Sequence, residues 1–573
     1  MYILGVNAIG HHDASACLLK DGQIIAFAEE GRFTRAKHAL QQYPIYAIQF
    51  CLSKAKITLD PVDYIATPWI EEEGAFTASA GPVSDTTLSL RSNKDAHKPP
   101  AFIDKVFQKT YFSFKKLPLI AHVSHHLAHA ASAYRCTSFQ DAAILIVDGE
   151  GDRVSTTLAY GQGNEIQLLD QFPTVYSLGQ MYACITSFIG LSYMVEGKTM
   201  GLVAYGNPTE NLDIVTRSDL GYSIDLKVNK DIWNPHEVDW LVVIDAWMKY
   251  FAQCFGAPNP PTTKFDTDIQ RFLKTTQFSQ KYKDIAASVQ KELEDVLIPL
   301  SKIVLQRTGS RNLVLAGGAA LNCSANGKLA QVLDLENIFI QPISSDAGAP
   351  LGACLELYAN LGHTSRASFT STAFRPDYTD DQVKQQLDLL GISYTSCEDI
   401  AVATAELLDQ EKVVGCFQGP MEAGPRALGH RSILTKPTTT KMRDHLNRIK
   451  GREMWRPLGP ALREENMDST FGTTRPSPFM ILAYPVKDEA RSKIPAVVHV
   501  DGSARPQTVN CQVEPLYWHL LGEFEKRTGL PCLINTSFNA SYEPIVCTPL
   551  DALRTFYSTN LDALAIGSFL VRK

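Results

Sequence analysis

The chain has 573 residues, of which 45% are hydrophobic and 20% are charged, and its formal net charge is −7 with a pI near 6.1. This length is too great for one hydrophobic core, and the acidic balance argues against a general binder of nucleic acids or anionic membranes. No apolar run reaches the roughly 18–20 residues that cross a bilayer, the start of the sequence lacks a signal-peptide pattern, and the 12 cysteines show no C-x-x-C spacing. We therefore expect a cytoplasmic protein with two or three domains and buried, reduced thiols.

Strand and helix patterns alternate over residues 1–360. Strand-like segments open the chain, and Asp21-Gly22 between two of them predicts a tight hairpin turn. A helix is predicted at 284–297, where apolar residues recur on one face. Further strands are predicted at 118–124, 142–149, 156–162 and 312–318. This alternation indicates an α/β domain with a central sheet, which we place at residues 1–360.

A second domain is predicted after a change of composition. Residues 361–376 lose the periodicity and are rich in Ser and Thr, which favours a linker. Thr379 and Gln382 have the spacing of a capping box, so a new helix is predicted to begin there. Another helix and strand follow, and they predict a second α/β domain at residues 377–573.

Four of the 14 histidines lie within eight positions, from His122 to His129. Ser124 follows an apolar strand and is a good N-cap residue, so a helix is predicted to begin there and to leave His122 in the strand. His125 and His129 then share one helix face at i and i+4, about 5–6 Å apart, whereas His126 points away. Two imidazoles at this spacing can hold one metal ion.

Two aspartates complete a candidate metal site with His125 and His129. Asp148 is predicted at the end of the strand AAILIVD, before a glycine-containing turn, and Asp346 at another strand end in PISSDAG. Imidazoles and carboxylates together suit iron, manganese or zinc. The alternative is a helix whose histidines only pack or face solvent, which an H-x-x-x-H spacing alone would favour.

Three glycine-containing turns suit phosphate binding. They are Gly317-Gly318 in LAGGAALN, Asp148-Gly149-Glu150-Gly151, and the turn around Gly179 in SLGQMY. Glycines there let backbone N–H groups approach a phosphate near the positive end of a helix. A structural turn explains any one of them, but three turns beside a metal candidate predict a nucleotide-phosphate site.

His12, in GHHDAS after the first strand, is predicted to face the same cleft. An imidazole with an ordinary pKa of about 6.5 can remove a proton from a hydroxyl near neutral pH. A solvated turn histidine explains the local sequence equally well.

A basic island occupies residues 426–456 of this acidic chain, with nine positive charges and two acids. A basic surface helix explains its middle, but Arg426 in GPRALG and Arg456 in WRPLGP have small and apolar neighbours. Burying arginine is unfavourable unless an anion meets it, so a pocket for small phosphates or a nucleotide is predicted. Arg505 and the segment NTSFN at 535–539 are predicted to complete this pocket. A nucleic-acid backbone fits less well, because aromatic residues are sparse here.

Motifs over nearly the whole length carry a resemblance to a known family. In chain order they are HDASACLL, FAEEGRFTRAKH, HHLAHAASAY, LIVDGEG, GKTMGLVAYG, AGGAALN, SSDAGAPLG, GPRALGHRS, MRDHLN, WRPLGPA, RPQTV and NTSFN. In this order they resemble the NodU/CmcH family of O-carbamoyltransferases. The resemblance implies a two-lobed N-terminal domain of actin-like ATPase (ribonuclease H-like) architecture, related to the tRNA threonylcarbamoyladenosine synthases, and a C-terminal YrdC-like α/β domain.

The resemblance also implies two linked reactions. In the family, the YrdC-like domain uses carbamoyl phosphate and ATP to make carbamoyl adenylate, and the N-terminal domain transfers the carbamoyl group to a hydroxyl of a small molecule. The implied cofactor is Fe²⁺ or another divalent metal. Neither nucleic acid nor membrane is an expected partner, and a homo-oligomeric state stays open.

Carried over residue by residue, the resemblance assigns the functional positions. It implies that His12 is the catalytic base and that Lys37, in TRAKH, contacts the acceptor. The implied metal ligands are His125, His129, Asp148 and Asp346. The implied nucleotide contacts of the N-terminal domain are Gly149, Gly179, Gly318 and Asn322. The implied contacts to carbamoyl phosphate and ATP are Arg426, Lys450, Arg456, Arg505, Asn535 and Ser537.

The sequence departs from the family pattern where the acceptor would bind. The loop between Asn7 and His12 is short, and Gly10 stands where a family member has an acceptor-binding aspartate. Loss of a carboxylate favours a less cationic acceptor than an aminoglycoside, although drift in loop length is the alternative. Residues 207–265 align poorly and include an aromatic-rich segment. The acceptor therefore stays open among sugars, macrolide-like polyketides, guanidine alkaloids and oligosaccharides.

Two other functions remain as alternatives. A tRNA threonylcarbamoyl-type modification enzyme is disfavoured by the acidic balance. A non-catalytic nucleotide sensor is disfavoured by the second anion pocket, for which a sensor has no use.

Overall fold

The structure is a computed structural model. The residues that it describes are 1–8, 12–70, 88–91, 101–192, 194–228, 238–260, 278–364, 366–367, 369–374, 376–541 and 543–573. They form two compact units, the first comprising Met1–Thr34 and His38–Phe369 and the second Arg35–Lys37 and Thr370–Lys573. The expectation drawn from Gly10 lies outside the described residues, as does part of the segment 207–265.

The first sheet of the first unit combines an antiparallel meander with parallel strands. Its strands are β1 (Tyr2–Asn7), β2 (Ser15–Lys20), β3 (Gln23–Glu29), β4 (Tyr64–Thr67), β5 (Leu88–Arg91) and β6 (Leu119–Val123). Their order is β3-β2-β1-β4-β6-β5, with β1 to β3 antiparallel and β4 and β6 parallel to β1. The β2–β3 turn is the predicted one, because Asp21 and Gly22 adopt left-handed φ values of 49° and 79°.

The second sheet of this unit repeats the same connectivity. Its strands are β7 (Asp141–Gly151), β8 (Val154–Gln162), β9 (Glu165–Pro173), β12 (Asn312–Ala316) and β13 (Asn337–Ile340), while β10 (Val215–Ser218) and β11 (Gly221–Ile224) form a separate hairpin. The order is β13-β12-β7-β8-β9, with β7 to β9 antiparallel and β12 and β13 parallel. Two sheets that share this order form the duplicated ribonuclease H-like arrangement of actin-like ATPases. The predicted fold class is therefore confirmed for this unit.

Two buried helices lie between these sheets. The helices of the first unit are α1 (Glu30–Thr34), α2 (Ile45–Ala55), α3 (Ala101–Val106), α4 (His125–Tyr134), α5 (Leu178–Phe188), α6 (Glu196–Val203), α7 (Trp240–Phe255), α8 (Gln280–Thr308), α9 (Cys323–Val332) and α10 (Ala349–Asn360). Helix α4 begins after Ser124, as predicted, and every one of its residues is buried. It packs against β7 on one side and against α10 on the other, and α10 in turn contacts β1.

The second unit also combines a sheet with helices. Its main sheet contains β14 (Thr395–Ser396), β15 (Val414–Phe417), β16 (Arg431–Thr435), β17 (Gly459–Arg463), β20 (Gln507–Val509), β21 (Cys532–Ser537), β22 (Ala563–Ile566) and β23 (Phe569–Arg572), and β18 (Tyr484–Pro485) pairs with β19 (Ser503–Ala504). Its helices are α11 (Asp380–Leu389), α12 (Ile400–Asp409), α13 (Thr440–Ile449), α14 (Met467–Phe471), α15 (Asp488–Arg491), α16 (Pro515–Thr528) and α17 (Pro549–Ser558).

Local signals in the second unit act as predicted. Thr379 and Gln382 form a reciprocal capping box at the start of α11. Helices α12 and α16 cover one face of the main sheet, where Leu408 and Phe524 are fully buried. The basic segment in the middle of the island forms α13, with Arg448 exposed in its last turn.

The cysteines agree with the expectation of buried, reduced thiols. All cysteines are free, and all except Cys254, Cys397 and Cys511 are buried. In the described part of the chain, no helix combines the length and apolarity that crossing a membrane requires.

We predict that Gly352→Ala destabilises the first unit by about 3 kcal/mol, because overpacking forces backbone shifts. A Cβ atom at Gly352 in α10 would lie 1.7 Å from the carbonyl oxygen of Ala128 in α4. Urea unfolding followed by circular dichroism measures the change. Gly197→Ala in α6 is the matched control, since no atom lies within 4 Å of its added methyl group. Equal effects of the two substitutions would contradict the close helix contact.

Candidate functional site

Four predicted metal ligands converge in the first unit. His125 and His129 come from one face of α4, Asp148 from β7 and Asp346 from the turn before α10. Asp148 Oδ2 lies 3.1 Å from His125 Nε2 and 3.3 Å from His129 Nε2, and Asp346 Oδ1 lies 3.6 Å and 3.8 Å from the same nitrogens. One ligand atom from each residue lies within 4.8 Å of all the others.

The backbone presents the two aspartates in different ways. The expectation that Asp148 ends its strand was wrong, because β7 continues to Gly151. The β7–β8 pairing is regular as far as Val147 and resumes only at Gly151, so Asp148 lies where this pairing is irregular. The expectation that Asp346 ends a strand was wrong, because β13 stops at Ile340 and Asp346 begins a short 3₁₀ turn that leads into α10. The side chain still reaches the site, because this connection passes beside α4.

His125 is held on several sides. Its Nδ1 lies 3.3 Å from the carbonyl oxygen of Pro68, its backbone N–H donates to Asp152 at 2.7 Å, and its ring centroid lies 4.0 Å from that of Trp69. An Nδ1–H that donates to Pro68 leaves the Nε2 lone pair facing the aspartates, which is the tautomer a metal ligand needs. Gly151 is required beside the ring, because a Cβ atom there would lie 2.0 Å from it.

The electrostatics of the cluster favour a cation. Burial alone would lower the pKa of His125, but the Asp148 and Asp346 carboxylates outweigh burial and raise it well above its ordinary value. Burial opposes ionisation of Asp148, yet the two imidazoles lower its pKa well below the usual range. The cluster therefore holds positive charge between its carboxylates. Two imidazole nitrogens and two carboxylate oxygens are a donor set that fits a divalent ion such as iron, manganese or zinc.

Three of the predicted nucleotide contacts, Gly149, Gly179 and Gly318, adjoin Asp148. The backbone N–H of Gly318 donates to Asp148 Oδ1 at 2.9 Å, and a Cβ atom at Gly179 would lie 2.5 Å from the Asp148 carbonyl oxygen. Gly149 follows Asp148 in β7, and Asn322 caps α9 and bonds Gln290 through its side chain. These contacts hold the aspartate and its turn, and the nucleotide role of the four residues stays a prediction.

His12 lies at the edge of the cluster. Its Nε2 is 3.9 Å from Asp346 Oδ2, its Nδ1 is 3.8 Å from Asp13 Oδ2, and its side chain is 34% exposed. Burial lowers the pKa of His12, but the two carboxylates outweigh burial and raise it to about 9. A cation bound by Asp346 would offset that carboxylate and favour the neutral imidazole that a base requires.

The second unit concentrates positive charge. Burial, followed by repulsion from Arg452 and Arg456, lowers the pKa of Lys450 well below its ordinary value. Burial and repulsion from Arg456 likewise lower the pKa of Arg452, with a further contribution from Arg505, and only Glu453 opposes them. Mutual repulsion of this kind is relieved by an anion, so the four basic side chains form a candidate anion site.

The amide-rich segment adjoins this anion site. Lys450 Nζ contacts Ser537 and lies 3.0 Å from Asn539 Oδ1, so its charge is held against this segment. Asn535 Nδ2 donates to the carbonyl oxygen of Ala427, the residue after Arg426. Four of the six predicted residues therefore lie near one another, and these are Lys450, Arg456, Arg505 and Ser537. Asn535 lies two positions before Ser537 in β21, and Arg426 is connected to it through the neighbouring Ala427. Lys37 lies in the short segment 35–37, which belongs to the second unit, and its charge further lowers the pKa of Lys450.

Sequence reasoning missed several side chains. Arg452 was counted in the basic island without a role, although it is half-buried and its Nε donates to Asn447 at 2.7 Å. Asp13 follows His12 in the chain, and His38 follows Lys37. This adjacency to predicted site residues was the sequence signal by which the two could have been found. Trp69 gave no signal, because only the tertiary structure stacks it on His125.

Comparison with known proteins gives a consistent result. The family model of the carbamoyltransferase N-terminus matches residues 2–355, and that of the carbamoyltransferase C-terminus matches residues 405–573. The chain is similar to nodulation protein NolNO of Sinorhizobium fredii, with 35% identity over 98% of this chain and 79% of that protein. An uncharacterised protein of Synechocystis is 35% identical over 100% of this chain and 97% of its own.

More distant similarities follow. Nodulation protein U of Sinorhizobium fredii is 27% identical over 92% of this chain and 92% of its own. Among solved structures, full-length HypF in its phosphate- and nucleotide-bound form matches at a TM-score of 0.33 and 13% identity, over 64% of this chain and 47% of HypF. A match at this TM-score is too weak to support further conclusions.

We predict that His129→Ala weakens binding of Mn²⁺ or Zn²⁺ by more than the roughly 100-fold that loss of an outer-shell partner causes. Isothermal titration, with elemental analysis of the purified protein, measures it. The matched control is His126→Gln, because the buried His126 ring bonds Thr157 Oγ1 at 2.8 Å and the Val154 carbonyl at 3.0 Å instead of facing the aspartates. A full metal content in His129→Ala would contradict the site.

Proposed function

This chain belongs to the carbamoyltransferase family, and we propose that it is an ATP-dependent O-carbamoyltransferase that works in two steps at two sites. In the first step, carbamoyl phosphate and ATP give carbamoyl adenylate in the second unit, which we take to be YrdC-like. In the second step, the first unit transfers the carbamoyl group to a hydroxyl of a small-molecule natural product. One observation carries this proposal: the cluster of the first unit suits a cation, whereas the basic cluster of the second unit suits anions.

The anion site supports the first step. Carbamoyl phosphate and ATP are both anionic, and bringing them together requires positive charge that water does not screen. Lys450, Arg452, Arg456 and Arg505 provide that charge, and they repel one another when no anion is bound. Because AMP becomes part of carbamoyl adenylate and the carbamoyl group leaves the phosphate of carbamoyl phosphate, atom balance requires this step to consume one water and to release both pyrophosphate from ATP and inorganic phosphate from carbamoyl phosphate.

The cluster of the first unit supports the second step. The acceptor oxygen attacks the carbamoyl carbon, the bond from that carbon to the AMP phosphate oxygen breaks, and AMP leaves with the electron pair. The hydroxyl proton passes to His12, whose Nε2 faces Asp346 at 3.9 Å. A divalent cation held by His125, His129, Asp148 and Asp346 would stabilise charge on the phosphate oxygens.

The finer assignments complete the proposal. Fe²⁺ is proposed as the native metal because the resemblance implies it, while the donor set also accepts manganese or zinc. Lys37 is proposed to contact the acceptor, and Gly149, Gly179, Gly318 and Asn322 are proposed to contact the nucleotide. Buried free thiols support a reducing, cytoplasmic location.

We predict that two substitutions separate the two steps. Arg456→Ala removes a cation of the anion site, so pyrophosphate release that depends on carbamoyl phosphate falls about 100-fold. His12→Ala keeps that release but lowers formation of the carbamate product by about 10²–10⁴-fold, the usual contribution of a general base. Pyrophosphate assays and mass spectrometry of a panel of hydroxylated acceptors measure the two outcomes.

Arg448→Ala is the control for this pair. Arg448 belongs to the same basic island but lies exposed in the last turn of α13, so both steps keep their native rates in this variant. Loss of the same step in Arg456→Ala and His12→Ala would contradict the assignment of two sites. Pyrophosphate release that does not require carbamoyl phosphate would contradict the proposal that carbamoyl phosphate is the carbamoyl donor.

A further inference from the structure

Asp13 lies between two imidazoles of the first unit. Its Oδ1 is 3.1 Å from Nδ1 of His38, and its Oδ2 is 3.8 Å from Nδ1 of His12. The backbone N–H of Asp13 also donates to the carbonyl oxygen of His38 at 2.7 Å. Two hydrogen bonds therefore tie Asp13 to a residue 25 positions later in the chain, and they leave one carboxylate oxygen facing His12.

Both residues adopt strained backbone conformations. Asp13 has a φ of 53° and His38 a φ of 63°, and the neighbouring Ala39 and Gln41 have φ values of 45° and 56°. Left-handed residues other than glycine are unfavourable by about 1–3 kcal/mol each, and they persist where surrounding contacts impose them. Such strain collects at functional sites, and here it occurs at both members of the Asp13–His38 pair.

A buried amide fixes Asp13 relative to the metal cluster. Asn7 Nδ2 donates to the carbonyl oxygens of Asp13 at 3.1 Å and Asp346 at 3.4 Å, and Trp69 Nε1 donates to Asn7 Oδ1 at 2.9 Å. The backbone of Asp13 is therefore tied to the backbone of a candidate metal ligand. Asn7 therefore joins the main chains of the two residues whose carboxylates approach His12.

We propose that Asp13 and His38 are positioning residues that hold the His12 ring for proton removal from the acceptor hydroxyl. His38 donates to one oxygen of Asp13, and the other oxygen attracts Nδ1–H of His12, so the lone pair of Nε2 faces the reacting hydroxyl. The 3.8 Å gap is longer than a hydrogen bond, and such contacts tighten when substrate binds. This inference rests on the base role proposed for His12.

A graded set of variants distinguishes the positioning of His12 from a purely structural role of Asp13 and His38 in the backbone turn. His38→Asn keeps a donor where Nδ1 lies and tolerates the left-handed backbone, whereas His38→Gly keeps the backbone freedom but loses the donor. Asp13→Asn keeps the shape of the carboxylate but loses its charge. Each variant is assayed for thermal unfolding, pyrophosphate release and carbamoylation of glycerol, the hydroxyl probe.

We expect His38→Gly and Asp13→Asn to lower kcat for glycerol carbamoylation by about 10–100-fold, a part of the general-base contribution. KM for glycerol and pyrophosphate release stay native, and His38→Asn recovers most of kcat. In ¹⁵N-histidine spectra, the His12 signal, assigned by its loss in His12→Ala, moves in Asp13→Asn and His38→Gly. Native kcat in His38→Gly, or equal losses in His38→Gly and His38→Asn, would overturn the positioning role.

Failure of the proposed function gives a different result. A native protein that releases pyrophosphate but carbamoylates neither glycerol nor any acceptor of the panel overturns the proposed transfer. The ¹⁵N signal of His12 then still tests whether Asp13 and His38 position its ring. An unchanged signal in Asp13→Asn and His38→Gly overturns it, and a moved signal that His38→Asn restores supports it.

Discussion

The structure of the first unit depends on two carboxylates that have been removed from water. Asp148 and Asp346 are buried within 4.8 Å of the imidazoles of His125 and His129. Buried carboxylates are stable only when positive charge and hydrogen bonds replace the lost water. Three features of the unit meet this requirement. The fully buried α4 carries the two histidines, and the irregular pairing of β7 lies where Asp148 faces them. The absence of a side chain at Gly151 leaves room for the ring of His125.

The second unit also removes charged groups from water, but there the charge is positive. Lys450 is buried and Arg452 is half-buried beside Arg456, and Glu453 compensates only part of their charge. Carbonyl and amide oxygens of Ser537 and Asn539 stabilise Lys450, but they cannot neutralise the whole cluster. One unit is therefore prepared for a cation and the other for anions. A reaction that first activates an anionic donor and then transfers a neutral carbamoyl group to an alcohol needs both environments.

Close approach links the fold to the first site. The methylene of Gly352 lies so near α4 that no further atom fits, and Gly179 likewise leaves no room for a side chain beside the backbone of Asp148. Asn7 joins the main chains of Asp13 and Asp346 through a single amide. Small displacements of any of these contacts move ligands directly, so the geometry of the site and the stability of the unit depend on the same atoms.

The sequence by itself determined the elements whose causes are local. The start of α4 after Ser124, the capping box of Thr379, the turn at Asp21 and the i, i+4 pair of histidines depend on residues within a few positions of one another, and the ordered motifs identified the family. Only the tertiary structure decided that Asp346 reaches the site from beyond its strand, that Trp69 stacks on His125 and that His38 holds Asp13. These contacts join residues far apart in the chain through strand pairing, helix packing and strained backbone, and no local pattern records such geometry.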